Sequence, residues 1–327
     1  MSSEKMKYEF LASILAVFFL LSLSLPARAQ IETVRLSIAT GGTGGIFYVL
    51  GGGFASIISK HVPHVEATAE VTAAAVDNCK LIMAHKADLA FVMAENAYEG
   101  FSGTEKFKSV GKIPLRTLAT LYPAVLHIVT MEGRDIEKVK DLKGKRVSLG
   151  APGSGSEAWA LKVFEILGLD PVKDIRRERL SVAESAGALK DRKIDAFFWG
   201  GGIPTSAVLD LAATPGVKIK LVANDELLEP MHKKYGPIYY RLVVTKETYP
   251  GMAQDVPVVA QANMLVCHEK LAEEVAYEIV KVIFEHRGDL RAVYKDAEKM
   301  SPETAVIGSP IAFHPGAIRY YKEKKVM

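Results

Sequence analysis

Two segments of this chain combine glycine, serine and threonine in a pattern that can hold an anion. They are RLSIATGGTGGIFY at residues 35–48 and RVSLGAPGSGSEAW at residues 146–159. In each, an apolar strand runs into a glycine-rich turn and then a helix. The first N–H groups of a helix have no intrahelical partner, and the peptide dipoles add partial positive charge there. Two such ends, at the carboxyl edges of their sheets, would face one cleft with rows of backbone donors suited to a small anion. Neither turn carries a catalytic side chain. The pattern is that of a capture device.

Other chemistries fail on spacing. A dinucleotide fingerprint begun at Gly42 meets Phe47 where its third glycine belongs, and no G-x-x-x-x-G-K-[ST] phosphate loop occurs. Pro152 stands two residues before Ser154, which breaks a nucleophile elbow. Ser154 and Ser156 either cap the following helix or donate to a bound anion. His127 lies in an apolar run with no serine or cysteine partner, which gives it a structural role. Tyr122, Trp199 and Tyr239 fall at strand ends, where crevice-lining side chains concentrate. Glu95 and Asn96 follow a strand and either meet a polar ligand or stand on a solvated loop. Arg116 and Arg241 are the guanidinium candidates for bidentate pairing with a carboxylate. The one close histidine pair, His61 and His64, flanks Pro63 and makes no metal site. No metal or cofactor is expected.

These residues need a scaffold. A chain of 327 residues is long for one core, so two lobes are expected. Apolar residues at 49% and charged residues at 24% describe an ordinary globular protein, and a formal charge of +3 gives nucleic-acid binding no support. Residues 1–29 read as a secretory signal: Lys5 and Lys7 precede an apolar run at 10–25, Pro26 breaks it, and Ala27-Arg28-Ala29 supplies a cleavage site before Gln30. Export would place the protein in the periplasm. Cys79 and Cys267 sit in apolar contexts, as two buried thiols or as a disulfide.

Short apolar runs alternate with helical periodicity, the mark of an α/β protein. Strands are expected at 34–39, 66–72, 89–93, 116–121, 126–130, 147–149, 179–181, 196–199, 219–222, 242–244 and 258–266. A helix is expected over 156–167, with Gly168 at its C-terminal end and Pro171 beyond. Others cover 204–213 and 271–284. Gly51, Gly52 and Gly53 fall inside the helix after the first turn, either for close packing on the sheet or for approach to a ligand. No flexible linker divides the chain, so ordered strands at 126–130 and 242–245 should connect the lobes and act as hinges.

Five segments in register carry a family resemblance: ATGGTGGIFYVLGG, LATLYPAVLHIV, DLKGKRVSLGAPGSGSE, LKDRKIDAFFWGGGIPTSA and HPGAIRYY. From about residue 31 to 321 the chain resembles the TAXI proteins, extracytoplasmic solute receptors of TRAP (tripartite ATP-independent periplasmic) transporters. The resemblance implies a bilobal type II periplasmic-binding-protein-like fold, with two α/β lobes joined by hinge strands. Lobe I would be residues 30–125 plus 245–327, and lobe II residues 126–244. It implies a receptor, not an enzyme, monomeric and without cofactor, that delivers a small organic acid to membrane permease subunits. A receptor feeding a sensor kinase, or a periplasmic enzyme on the same fold, are the alternatives. The positions carried over are Thr40, Gly41, Gly44 and Tyr48 from the first turn, Gly153, Ser154, Gly155 and Ser156 from the second, and Gly202 and Pro204. Phe47, Ala75 and Asn78 of the neighbouring segments and the strand-end residues Tyr122 and Trp199 complete the expected ligand-binding set. Where the family has glycines and a serine, this chain has Ala73, Ala74 and Ala75, and Phe47 replaces a common tyrosine. Both changes favour a less polar carboxylate than glutamate.

Overall fold

The computed structural model describes residues 33–327; the segment read as a secretory signal lies outside them. The chain enters through β1 (Val34–Ala39), α1 (Ile46–His61), β2 (Val65–Glu70), α2 (Ala75–Met83), β3 (Leu89–Met93) and α3 (Ala94–Ser102). A long strand, β4 (Leu115–Met131), follows. Next come β5 (Arg146–Ser148), α4 (Gly155–Leu167), β6 (Arg176–Glu178), α5 (Val182–Lys190), β7 (Ala196–Gly201), α6 (Ser206–Ala212) and β8 (Ile219–Leu221). The remainder is α7 (Leu228–Tyr235), β9 (Tyr240–Val244), β10 (Val256–His268), α8 (Glu273–Glu285), α9 (Pro302–Ala305) and α10 (Pro315–Glu323).

The ten strands form one mixed sheet in the order β2-β1-β3-β10-β4-β7-β5-β6, with β8 beside β4 and β9 beside β10. β1 pairs parallel with β2 and β3, and β5 pairs parallel with β6 and β7. The returning strand β10 between β3 and β4 is the type II strand order, so the α/β class and its topology are as expected.

Two long antiparallel strands bridge the parallel groups. β10 pairs β3 through Asn263↔Met93 at one end and β9 through Val256↔Val244 at the other. β4 meets β10 at Leu265↔Ala119 and β7 at Val125↔Gly201. The expected strands 116–121 and 126–130 are therefore one strand, not interrupted at Pro123. That proline is exposed and stands beside a bulge between Ala262 and Met264, where the irregular ladder tolerates a missing N–H. The second expected link, 242–245, is part of an edge strand; the chain returns through β10. Tyr249, Val256 and Val258 pack with Val125, Val129, Phe197 and Leu211 in the smaller of two apolar clusters. The larger extends from β1 and β3 to Trp159 and Phe164 of α4.

Gly168 ends α4 in the left-handed region at φ 65, as its position in the sequence implies. Two of the three glycines of α1 follow the packing reading. A Cβ on Gly51 would stand 2.3 Å from Thr40 Cγ2, and one on Gly53 2.7 Å from Leu290 Cδ2, whereas Gly52 faces open space. Cys79 and Cys267 are buried and unbonded, and burial pushes both thiols up.

His127 is fully buried. Its Nδ1 lies 3.0 Å from Val125 O and 3.3 Å from Trp199 O, so this nitrogen carries the hydrogen, and Nε2 accepts from Tyr249 Oη at 2.9 Å. Burial lowers the imidazole from 6.5 to about 4. The unfolded ring takes up its proton near 6.5 and the folded ring only near 4. His127 therefore contributes fully above pH 6.5 and loses that contribution as pH falls through the window. Relative to a His127→Gln variant, the wild type should lose about 3 kcal/mol across this interval, read from urea midpoints. Parallel curves for the two proteins would contradict the assignment.

Candidate functional site

The carboxyl ends of β1, β3 and β7 and the turns after β1 and β5 surround one cavity of about 70 Å³. Room for a single water requires only about 10–15 Å³ of probe-filled space, so the cavity holds several waters or a small organic ligand. Five helices begin on its wall. The N-cap residues Gly45 of α1, Ala74 of α2, Met93 of α3, Ser154 of α4 and Ser181 of α5 all line it. Gly45, Ala74 and Met93 supply no side-chain cap. The dipoles make the site positive without a cationic side chain.

Both glycine turns reach this cavity. Gly41 and Phe47 line it from the first, and Ser154, Gly155 and Ser156 from the second, with Tyr122, Trp199 and Gly202 completing the expected members present. The two readings of the serines are compatible. Ser154 Oγ accepts from Glu157 N at 3.0 Å as a helix cap, and Ser156 Oγ accepts from Gly200 N at 2.9 Å. Each hydroxyl keeps its own hydrogen to donate. Trp199 Nε1 donates to Thr205 Oγ1 at 2.9 Å, which fixes the indole. Tyr122 has a buried hydroxyl with no partner, and burial raises its phenol well above the ordinary value, so it stays a donor.

Seven expected members, Gly153 among them, stand off the cavity. Thr40 is buried and donates to Glu70 O at 2.6 Å, tying β1 to β2. Gly44 packs against Ala183 and Ala207, each 3.2 Å from where its Cβ would be. Tyr48 is on the outer surface of α1, and Pro204 is exposed beyond β7. Ala75 starts α2, its methyl 3.1 Å from the Cβ position of Gly155. Asn78 is buried behind the wall, where its amide holds the carbonyls of Thr40, at the end of β1, and Phe91, in β3.

Neither arginine candidate reaches the site. Arg116 pairs with Glu269 at 2.7 Å and Arg241 with Asp225 at 2.9 Å. The Gly153 N–H is taken by Glu157 Oε2 at 3.2 Å. Glu95 and Asn96 occupy the buried first turn of α3 and neither line the cavity nor stand on a solvated loop. Among the residues that line it, no Asp, Glu, His, Lys, Arg or Cys occurs, so the serine hydroxyls have no neighbouring base. Elsewhere, His61, His286 and Asp289 bring ligand atoms within 4.8 Å, but the two imidazoles stack with centroids 3.5 Å apart and planes at 9°. Nearly parallel planes share no point on both nitrogen lone-pair directions, so this arrangement does not chelate a metal.

Sequence reasoning missed Met93, Ser181 and Val182 on the wall. A signal for the last two is present: Ser181 and Glu184 form a capping box, S-x-x-E, at the start of α5. The strand expected at 179–181 lies at Arg176–Glu178, which leaves Ser181 free to open α5. The departure at Ala74 has a structural counterpart, since this residue adopts φ 82, a region that favours glycine.

Comparison with solved structures gives a likeness of fold. A protein of Bordetella bronchiseptica RB50 aligns at TM-score 0.53 and 17% identity, over 88% of this chain and 89% of its own. The periplasmic aliphatic sulphonate binding protein SsuA of Escherichia coli gives 0.47 and 16%, over 89% and 83%. A binding protein component of an ABC phosphonate transporter from Pseudomonas aeruginosa gives 0.49 and 14%, over 81% and 79%. No helix among the described residues is long and apolar enough to cross a membrane. Residues 38–324, nearly all of the described chain, match the model of the NMT1-like family, and the chain belongs to that family.

Proposed function

We infer that the protein is an extracytoplasmic solute receptor whose two lobes close on a small monoanionic acid. The observation that carries this reading is the convergence of five helix N-termini on a cavity lined by no charged side chain. Helix ends and hydroxyls offset a single negative charge. Phe47, Ile46, Val182, Met93 and Trp199 suit an apolar body. A second carboxylate or an ammonium would lie there without a counter-charge. A small 2-oxo or 2-hydroxy acid with an aliphatic side chain fits these demands better than glutamate.

Lobe I comprises β1 to β3 with their helices and the C-terminal elements, and lobe II the elements from β5 to β9. Packing of residues 249–258 with the smaller cluster supports a return boundary within β10 instead of at 245. Closure would present a new surface to membrane permease subunits, and the resemblance to TAXI receptors supports a TRAP-type partner. Ligand shifts the open–closed balance only through its differential affinity for the two states.

The test is thermal unfolding of the mature protein with pyruvate, 2-oxobutanoate, 3-methyl-2-oxobutanoate and glutamate. At a hundredfold excess over Kd, a cognate acid adds about 2.7 kcal/mol, or roughly 4 °C. We expect that rise with an aliphatic oxo-acid and none with glutamate. Glutamate acting alone, or no monoanionic acid acting, would overturn the ligand assignment.

A further inference from the structure

A second group of charges lies buried outside the cavity, between the helices whose first turns form opposite walls of it. Glu95 and Glu99 project from α3, and Lys162 comes from α4; their exposures are 1%, 5% and 7%. Lys162 Nζ bonds Glu99 Oε1 and lies 3.4 Å from Glu95 Oε1. Glu95 Oε2 accepts from Tyr239 Oη at 2.5 Å and from Gln261 Nε2 at 3.3 Å, while Glu99 Oε2 has no partner. Two carboxylates thus share one ammonium in a space closed to water.

We propose that Lys162 is a positioning residue that clamps α3 to α4 when the lobes close, and that closure takes up a proton because its two carboxylate partners cannot both stay ionised there. The proposal rests on the two-lobe reading. Lys162 touches no ligand; it sets the distance between Met93 and Ser154, the N-caps of the two helices. Parting the lobes would return all three groups to water.

The other groups facing this site favour uptake at Glu99. Glu95 from the same helix and Glu105 beyond it are both acidic, and Lys162 is the opposing cation; from α7 and the loop after it come the phenols Tyr235 and Tyr239. Cys79 of α2 feels the Glu99 charge but is a buried thiol pushed far up, and Glu165 of α4 is engaged by Lys234 and Tyr235. Burial first, and then Glu95, raise Glu99 to about 7 against the pull of Lys162. Burial acts to lower Lys162, but the two glutamates outweigh it and the ammonium stands above its ordinary value. A carboxyl raised in the closed form favours closure at low pH and loses that advantage as pH rises through its closed-state value.

The test needs no ligand. Lys60→Cys on α1 and Lys190→Cys on α5 place spin labels at exposed positions on the two lobes, and pulsed electron resonance reads the distance distribution. Raising the medium from about pH 6 to about pH 8.5 should lower the short-distance fraction several-fold in otherwise wild-type protein. Glu99→Gln, which keeps the shape and removes the titrating group, should hold the short distance across that range. Lys162→Met should favour the long distance at every pH, with Lys162→Arg restoring the short one. A distribution that varies among proteins, but with the wild-type pH profile retained in Glu99→Gln, overturns proton uptake. Two distances present in equal proportion in Lys162→Met and wild type overturn the clamp. One fixed distance in every protein at every pH overturns both it and the two-lobe reading.

Discussion

Replacing Gly155 with leucine should abolish stabilisation by the cognate acid and leave the unliganded fold intact. A Cβ at this position would stand 2.7 Å from Asn96 Oδ1, 3.0 Å from Met93 Sδ and 3.1 Å from Ala75 Cβ. All three atoms belong to the β3, α2 and α3 side of the cavity, whereas Gly155 opens α4 on the other side. A leucine there therefore separates two walls without disturbing the contacts within either. The cap from Ser154 Oγ to Glu157 N is untouched. With the lobes parted, the cost is the small one of a first-turn substitution, under about 1 kcal/mol. Closure is different, because a branched side chain cannot share a gap already filled by a methionine, an amide and a methyl group. The ligand-induced rise of roughly 4 °C should vanish, and Gly155→Ala should retain part of it. If the leucine variant responds to the acid as the wild type does, the N-terminus of α4 is not part of the site.

The parts legible in the sequence were those that local chemistry determines. The two glycine turns, the αL end of α4 at Gly168 and the apolar strand β3 are set by neighbours in the chain. So is the apolar surrounding of His127, since nothing near it in sequence offers a nucleophile. What escaped depends on tertiary partners. Residues 116–121 and 126–130 read as two strands, but β10 supplies a bulge opposite Pro123 and the strand continues. Arg116 and Arg241 look like carboxylate ligands until Glu269 and Asp225, distant in sequence, arrive to pair with them. Glu95 reads as a ligand contact or a residue of a solvated loop, because nothing local indicates that Lys162 from another βα unit will be buried against it and Glu99. The Ser181 cap was readable from its S-x-x-E spacing and shows that a third helix end meets the two glycine turns. Thus the backbone and hydroxyl donors of the two turns were visible in the sequence, while the absence of a cation from the cavity lining and the charged cluster behind it were not.

Asn78→Ala should cost about 3–5 kcal/mol of stability and weaken the acid as well, although Asn78 does not line the cavity. Its amide nitrogen donates at 2.7 Å to Thr40 O, at the end of β1, and at 2.7 Å to Phe91 O, in β3. Its carbonyl oxygen accepts from Thr72 Oγ1 at 2.6 Å, and that same Thr72 oxygen accepts from Ala74 N at 3.0 Å. One fully buried side chain therefore joins the end of β1, β3 and the segment entering α2. Alanine would leave buried carbonyls unpaired with no route to water, and that desolvation cost dominates the loss. Asn78→Asp should be worse than alanine, since an ionised carboxylate offers no donor to those carbonyls and adds a buried charge. The effect on ligand follows from position. Gly41 and Thr72 both line the cavity, and this amide fixes their distance. Urea unfolding of the free protein and titration with the acid separate the two effects. A loss below about 1 kcal/mol would mean that the carbonyls find other donors, and the rigidity assigned to this wall would then belong to the sheet alone.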